Sequence, residues 1–177
     1  MKNIKDYELD DKAENGVRYV GQYYLTDMTS SERRKCGFRQ MFAGVLEFLL
    51  IFFAISVNCQ GGRTIYVVIP LELILFCAFL YMSGARRLFV SGDKLEQKSY
   101  DKAIANPIQI VTVSILLNFI ACLGQIVVVI RKTGESFCYG DYIFLAIIIV
   151  LFILHVFMWR HQKWLYGKVK AEQKAPY

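Results

Sequence analysis

Four apolar stretches alternate with polar ones along the 177 residues of this chain. The first runs from Phe38 to Val57 and stops at the turn-forming Asn58-Cys59-Gln60-Gly61-Gly62. The second, Ile65 to Ala85, is closed by Arg86 and Arg87. The third, Pro107 to Ile130, is closed by Arg131 and Lys132, and the fourth, Tyr142 to Trp159, by Arg160. A soluble amphipathic helix carries a polar face, and these runs carry almost none. At a rise of about 1.5 Å per residue they cover about 27–36 Å, enough for a hydrocarbon core of about 30 Å. Helices are required there, because lipid offers nothing to pair with an open backbone N–H or C=O. The pattern therefore predicts an all-α integral membrane four-helix bundle made of two helical hairpins, residues 38–85 and 107–159.

The polar segments predict structure of their own. Thr29-Ser30-Ser31-Glu32 is a capping box, which starts the first helix near Ser30, a turn or two before the bilayer. Asp93-Lys94-Leu95-Glu96 offers a similar start, for a loop helix over 94–105 that Asn106-Pro107 ends before the third span. Residues 1–29 form a tail expected to be partly disordered, residues 30–165 the membrane domain, and residues 166–177 a basic C-terminal tail. Within the first tail, Tyr19, Val20, Tyr23 and Tyr24 group as one face of a helix, lying on the membrane, docking a partner or packing on its own helices. The polar first 36 residues place the first apolar run too late and too long for a cleaved leader.

Charge sets the orientation. Of 21 Lys and Arg residues, eight precede or lie at Arg39, five fall between Arg86 and Lys102, and five follow Trp159. Only Arg63, Arg131 and Lys132 fall in the two remaining loops. The positive-inside rule then predicts a multi-pass cell-membrane protein with both termini and the middle loop in the cytoplasm. This distribution also accounts for the net charge of +6, so nucleic acid is not expected as a partner; no basic-aromatic module stands apart from the apolar runs. The expected partners are the lipid bilayer and either another membrane protein or further copies of this chain.

Ionisable residues inside the spans are the candidates for chemistry, since a charge in hydrocarbon costs about 2.5–3.5 kcal/mol. They are Glu47, Glu72 and His155. Glu47 and His155 lie at matching depths below the cytoplasmic surface and are placed to pair. Glu72 enters from the other side, at the depth of Asn118 and Cys122. Ser114, Asn118 and Gln125 share one face of the third span, with Ala121 between them, so that face looks inward and Glu72 is its expected partner. Polar groups in such helices also serve simply as interhelical hydrogen bonds, worth about 0.6–2 kcal/mol each. Pro70, two residues before Glu72, frees a backbone carbonyl beside it. Cys59 and Cys138, one in each outer loop, are the candidate disulfide in an oxidising compartment.

Other chemistries lack their residues. His155 and His161 are the only histidines and lie about 120° apart on one helix, which excludes a two-histidine haem site. No His/Cys spacing suits zinc. No nucleotide-binding or hydrolase motif is present, and neither is a C-x-x-C that could relay a redox pair. No cofactor or metal is expected. The first functional reading is a non-catalytic accessory or regulatory subunit of a membrane complex. The second is a small transporter or channel component that binds a cation or proton at Glu72/Asn118 or Glu47/His155. The third is a membrane redox or lipid-modifying enzyme, for which no nucleophile and base can be paired.

Overall fold

The computed structural model describes residues 7–9, 17–19, 23–90, 94–131 and 139–171. Four long helices dominate it, and each is long and apolar enough to cross a membrane. Helix α1 (Ser30–Ser56) begins at the expected capping box. The Thr29 N–H donates to Glu32 Oε2 at 2.8 Å, and the Glu32 N–H donates to Thr29 Oγ1 at 3.3 Å. Two of the orphan donors at the helix start are thereby satisfied. After a 3₁₀ turn at Gly61–Arg63, helix α2 (Ile65–Val90) runs back, with Pro70 inside its second turn.

The return hairpin differs from expectation at its start. Residues Lys94–Glu96 form strand β4, and the helix opens only at Gln97. Leu95 explains this, because it is fully buried as a strand residue opposite Tyr24. Nor do Asn106 and Pro107 end the helix. A short α3 (Gln97–Tyr100) widens into a π-helical segment, Asp101–Ala105, and continues into α4 (Asn106–Arg131). The Asn106 N–H bonds back to the Asp101 carbonyl, five residues earlier. In a regular α-helix the Pro107 ring would meet the carbonyl four residues back, and a wider turn just before it removes that conflict. Helix α5 (Tyr139–Gly167) completes the set.

The helices pack in the order α1, α2, α4, α5, with α5 meeting α1 along a thinner seam. One apolar core lies toward the loop joining α1 to α2, around Ile51, Val67, Ile74, Phe144 and Leu151. A smaller cluster of Tyr81, Val111 and Met158 lies further along the helices. The outer walls remain apolar: Phe38 is 66% exposed and Phe157 65%. Of the most apolar 18 residues of each helix, only 28–33% are buried inside the protein. Apolar faces this extensive are not stable against water.

The remaining strands give a second surprise. The N-terminal segment expected to carry a helical face contains three strands instead: β1 (Tyr7–Leu9), β2 (Val17–Tyr19) and β3 (Tyr23–Thr26). Strands β1 and β2 pair with each other. Strand β3 is the centre of an antiparallel sheet, with β4 on one side and β5 (Val169–Ala171) on the other. Aromatic residues favour a pleated, half-buried surface, and the middle loop and the chain's end supply the partner edges. The sheet thus gathers the N-terminal tail, the middle loop and the C-terminal segment at one end of the helices. Beneath it lie Met28, Cys36, Leu88, Tyr100, Ile104 and Leu165. Tyr24 stacks on Tyr100 with ring centres 3.8 Å apart. The buried Arg33 guanidinium donates to Thr26 Oγ1 at 3.1 Å and to the Met28 carbonyl at 3.3 Å.

Candidate functional site

Three helices each contribute one polar side chain to a buried centre. Glu47 comes from α1, Asn118 from α4 and His155 from α5; their exposures are 1%, 0% and 0%. His155 Nε2 lies 2.8 Å from Glu47 Oε1. Its other ring nitrogen, Nδ1, lies 3.2 Å from the Asn118 amide. In the orientation that satisfies all neighbours, Asn118 Oδ1 accepts from His155 Nδ1–H and from the Phe152 N–H at 3.1 Å, while Nδ2 donates to the Ile148 carbonyl at 3.3 Å. The amide therefore clips onto two backbone groups of α5, four residues apart, and fixes the imidazole beside it.

That geometry constrains the protons. With Nδ1 protonated, a second proton is shared along the Nε2···Oε1 axis. The pair is either imidazolium with carboxylate or neutral imidazole with carboxylic acid, and its net charge is zero in both cases. Neutrality is what an apolar interior requires of a polar group that stays there. Glu47 Oε2 has no hydrogen-bond partner among the described residues. The carboxyl keeps one oxygen that a proton or small donor can take up.

Polar groups flank this centre on both sides. Toward the sheet, Gln162 Nε2 donates to the Tyr81 hydroxyl at 3.2 Å, and Gln40 Nε2 donates to the Tyr81 carbonyl at 2.9 Å. Gln40 Oε1 and Gln162 Oε1 are buried without partners among the described residues. At the opposite end, Asp141 Oδ1 accepts from the backbone N–H groups of Gln60 at 2.9 Å and Gly61 at 3.1 Å. Gln125 Nε2 donates to the Asp141 carbonyl at 3.0 Å. Polar side chains thus punctuate the core along its length, joining α1 to α2, α2 to α5, and α4 to α5.

The structure separates the candidates that depth alone had grouped. Glu47 and His155 meet, and Asn118, Gln125 and Ser114 all face inward. Glu72 does not join them. The buried positions of α2 include Val67, Pro70, Leu71, Ile74, Ala78 and Tyr81, and Glu72, one residue beyond Leu71, is turned onto the exposed wall. His155 takes the place beside Asn118 that Glu72 was expected to fill. Glu72 makes no hydrogen bond or ion pair with any described residue. Cys59 is buried, and its Sγ accepts from the Gly62 N–H at 3.2 Å; Cys138 lies outside the described residues.

Sequence reasoning missed Asp141, Gln40, Tyr81 and Gln162. Asp141 carried one legible signal, an acid in the first turn of a helix, where the N-terminal dipole favours it. The others sit singly among apolar neighbours, and only the packing reveals that they meet. Among the described residues, no three His, Cys, Asp or Glu side chains form a group that could hold a metal ion. Comparison with known proteins finds no matching family model, no matching curated protein and no matching solved structure.

Proposed function

We propose that this chain is a four-helix-bundle protein of the cell membrane, its termini and middle loop cytoplasmic, that serves as a non-catalytic accessory or regulatory subunit of a membrane complex. The observation that carries this reading is Glu72. Its carboxylate stands on a wall shared with Ile69, Leu73 and Phe76, all exposed. An ionisable group facing lipid is costly, and such groups normally face protein or a water-filled cavity. A neighbouring membrane helix that presents a cation or a hydrogen-bond donor at this depth relieves the cost. The basic count on the three sheet-forming segments supports the cytoplasmic placement.

The test is the mass of the full-length protein purified from its own membrane in mild detergent, beside Glu72→Gln and Glu72→Leu. The wild type should carry a stoichiometric membrane partner. Glu72→Gln should retain part of it, and Glu72→Leu should release it with an unchanged melting temperature. A wild type that purifies alone, at the mass of one chain, would sink the proposal. A mass of two or more identical chains would make the partner another copy.

A second reading is favoured by the 2.8 Å contact between Glu47 and His155. A buried acid–imidazole pair that shares one proton suits a small transporter or channel component coupled to protons. In proteoliposomes, Glu47→Gln should then abolish a pH-driven flux that Glu72→Gln leaves intact. A flux indifferent to Glu47→Gln would end this reading.

A further inference from the structure

At the sheet-bearing end of α1, Ser31, Arg34, Lys35, Phe38 and Arg39 follow one another at helical spacing on its exposed face. Together with Phe89 of α2 they line a groove of about 400 Å³. The groove exists because the two helices approach closely there. A Cβ at Gly37 would lie 3.2 Å from the Ala85 carbonyl oxygen and 3.2 Å from the Phe89 ring. The opposite face of α1, with Arg33, Cys36 and Gln40, is buried. Arg33 is engaged under the sheet, whereas Arg34, Lys35 and Arg39 form no ion pair or side-chain hydrogen bond with any described residue. Three cations therefore line one groove, and the one acid beside them, Glu32, is held by the Thr29 cap and acts on Lys35 alone of the three, which leaves the groove with a net positive charge.

We infer that this groove binds the headgroup of an anionic phospholipid, an inference that rests on the helices crossing a bilayer. The groove's chemistry is amphiphilic. Its polar part offers two guanidinium groups, an ammonium and a hydroxyl, which suit phosphate oxygens. Its apolar part, Phe38 and Phe89, continues along α1 into exposed Phe42 and Val45. A phospholipid fills both parts, with its phosphate among the cations and an acyl chain along the phenylalanines. An acidic peptide or a free phosphate would occupy only the first. The position suits the lipid as well, because the cations stand where the apolar span begins.

Native mass spectrometry of the full-length protein, with phosphatidylglycerol and phosphatidylcholine titrated in equal amounts, tests the inference. The protein should retain phosphatidylglycerol in preference. The Arg34→Gln/Lys35→Gln/Arg39→Gln variant should lose that retention by about tenfold at low ionic strength, and by less as salt rises. A control that removes the same number of charges at the same end, Lys102→Gln/Arg160→Gln/Lys163→Gln, should keep it. Equal retention of the two lipids would overturn the inference, and so would equal losses in variant and control. Full displacement by millimolar inorganic phosphate would reassign the groove to a free anion, and displacement by an acidic peptide would reassign it to a protein partner. Circular dichroism of the triple variant separates loss of binding from loss of fold. Glu72 is untouched throughout, so the outcome is independent of whether a partner subunit is found.

Discussion

His155 and Glu47 face each other across the seam between α5 and α1, Nε2 to Oε1 at 2.8 Å, both sealed from solvent. The seam is the thinner of the helix contacts, so this pair is a polar fastening across it, with Asn118 of α4 holding the imidazole in place. Removing one partner of a buried pair leaves the other without compensation, which typically costs about 3–5 kcal/mol. Glu47→Leu and His155→Leu should each destabilise the protein on that scale. The double variant should recover much of the loss, because nothing ionisable is then left stranded and Asn118 keeps its bonds to Ile148 and Phe152. Denaturant unfolding in detergent micelles measures the cycle. Additive losses would show that the two side chains do not act as a pair.

The same geometry fixes a tautomer. Asn118 Oδ1 accepts from Nδ1, so that nitrogen should be the protonated one. Nitrogen-15 NMR of labelled histidine distinguishes the two ring nitrogens, and His161 serves as the internal reference. Asn118→Leu should remove the constraint and cost about 1–3 kcal/mol, the usual penalty for stranding a buried polar group. An unprotonated Nδ1 in the wild type would contradict the assigned amide orientation.

The long helices were legible because span length and apolar content are local properties of the chain. The meeting of Glu47 and His155 was legible for a related reason: helical rise converts residue number into depth. Depth carries no azimuth, however. Glu72 was matched to Asn118 by height, and only the phase of Leu71, Ile74 and Ala78 in the packed structure turns it outward. The strands were missed because pairing in a sheet is non-local. Tyr23 and Tyr24 become a central strand only when Leu95 and Val169 arrive from segments about 70 and 145 residues away. Asp141 precedes the apolar run that opens at Tyr142, so nothing local in the sequence points to its bonds with Gln60 and Gly61.

Sheet and helices share one hydrophobic cluster, and Tyr24 is its link. Tyr24→Ala removes the stack on Tyr100, which is worth about 0.5–1.5 kcal/mol beyond the area it covers. Leu25 points to the other face of β3 and is 39% exposed, so Leu25→Ala should be nearly silent. Deleting residues 1–22 should spare β3, whereas deleting 1–26 should lower the melting temperature and expose the middle loop to protease. Equal protease sensitivity of the two truncations would show that the sheet does not stabilise that end.

The orientation has its own test. A fluorescent protein fused after Tyr177 should fold and emit, because fusion partners of that kind mature in the cytoplasm. Alkaline phosphatase at the same place should stay inactive, since its disulfides need an oxidising compartment. Active phosphatase after Tyr177 would invert the assignment and place the sheet outside.

We propose that Cys59 and Cys138 are disulfide-bonded. Gly140, two residues beyond Cys138, packs against Asn58, and a Cβ at that glycine would lie 3.4 Å from Cys59 Cβ. The Asp141 bonds to Gln60 and Gly61 hold the same hairpin tips together without sulfur. A crosslink there would therefore reinforce a contact that already exists. Thiol labelling alone is a poor assay, because Cys59 is only 5% exposed and would react slowly even as a free thiol. Peptide mapping without reductant is decisive: it should recover the two cysteine peptides linked, and separated after reduction. Cys138→Ser should then cost about 2–4 kcal/mol, and Cys138→Ser in an Asp141→Asn background distinctly more than either change alone. Unlinked peptides from protein kept under oxidising conditions would leave Asp141 as the fastening between the tips.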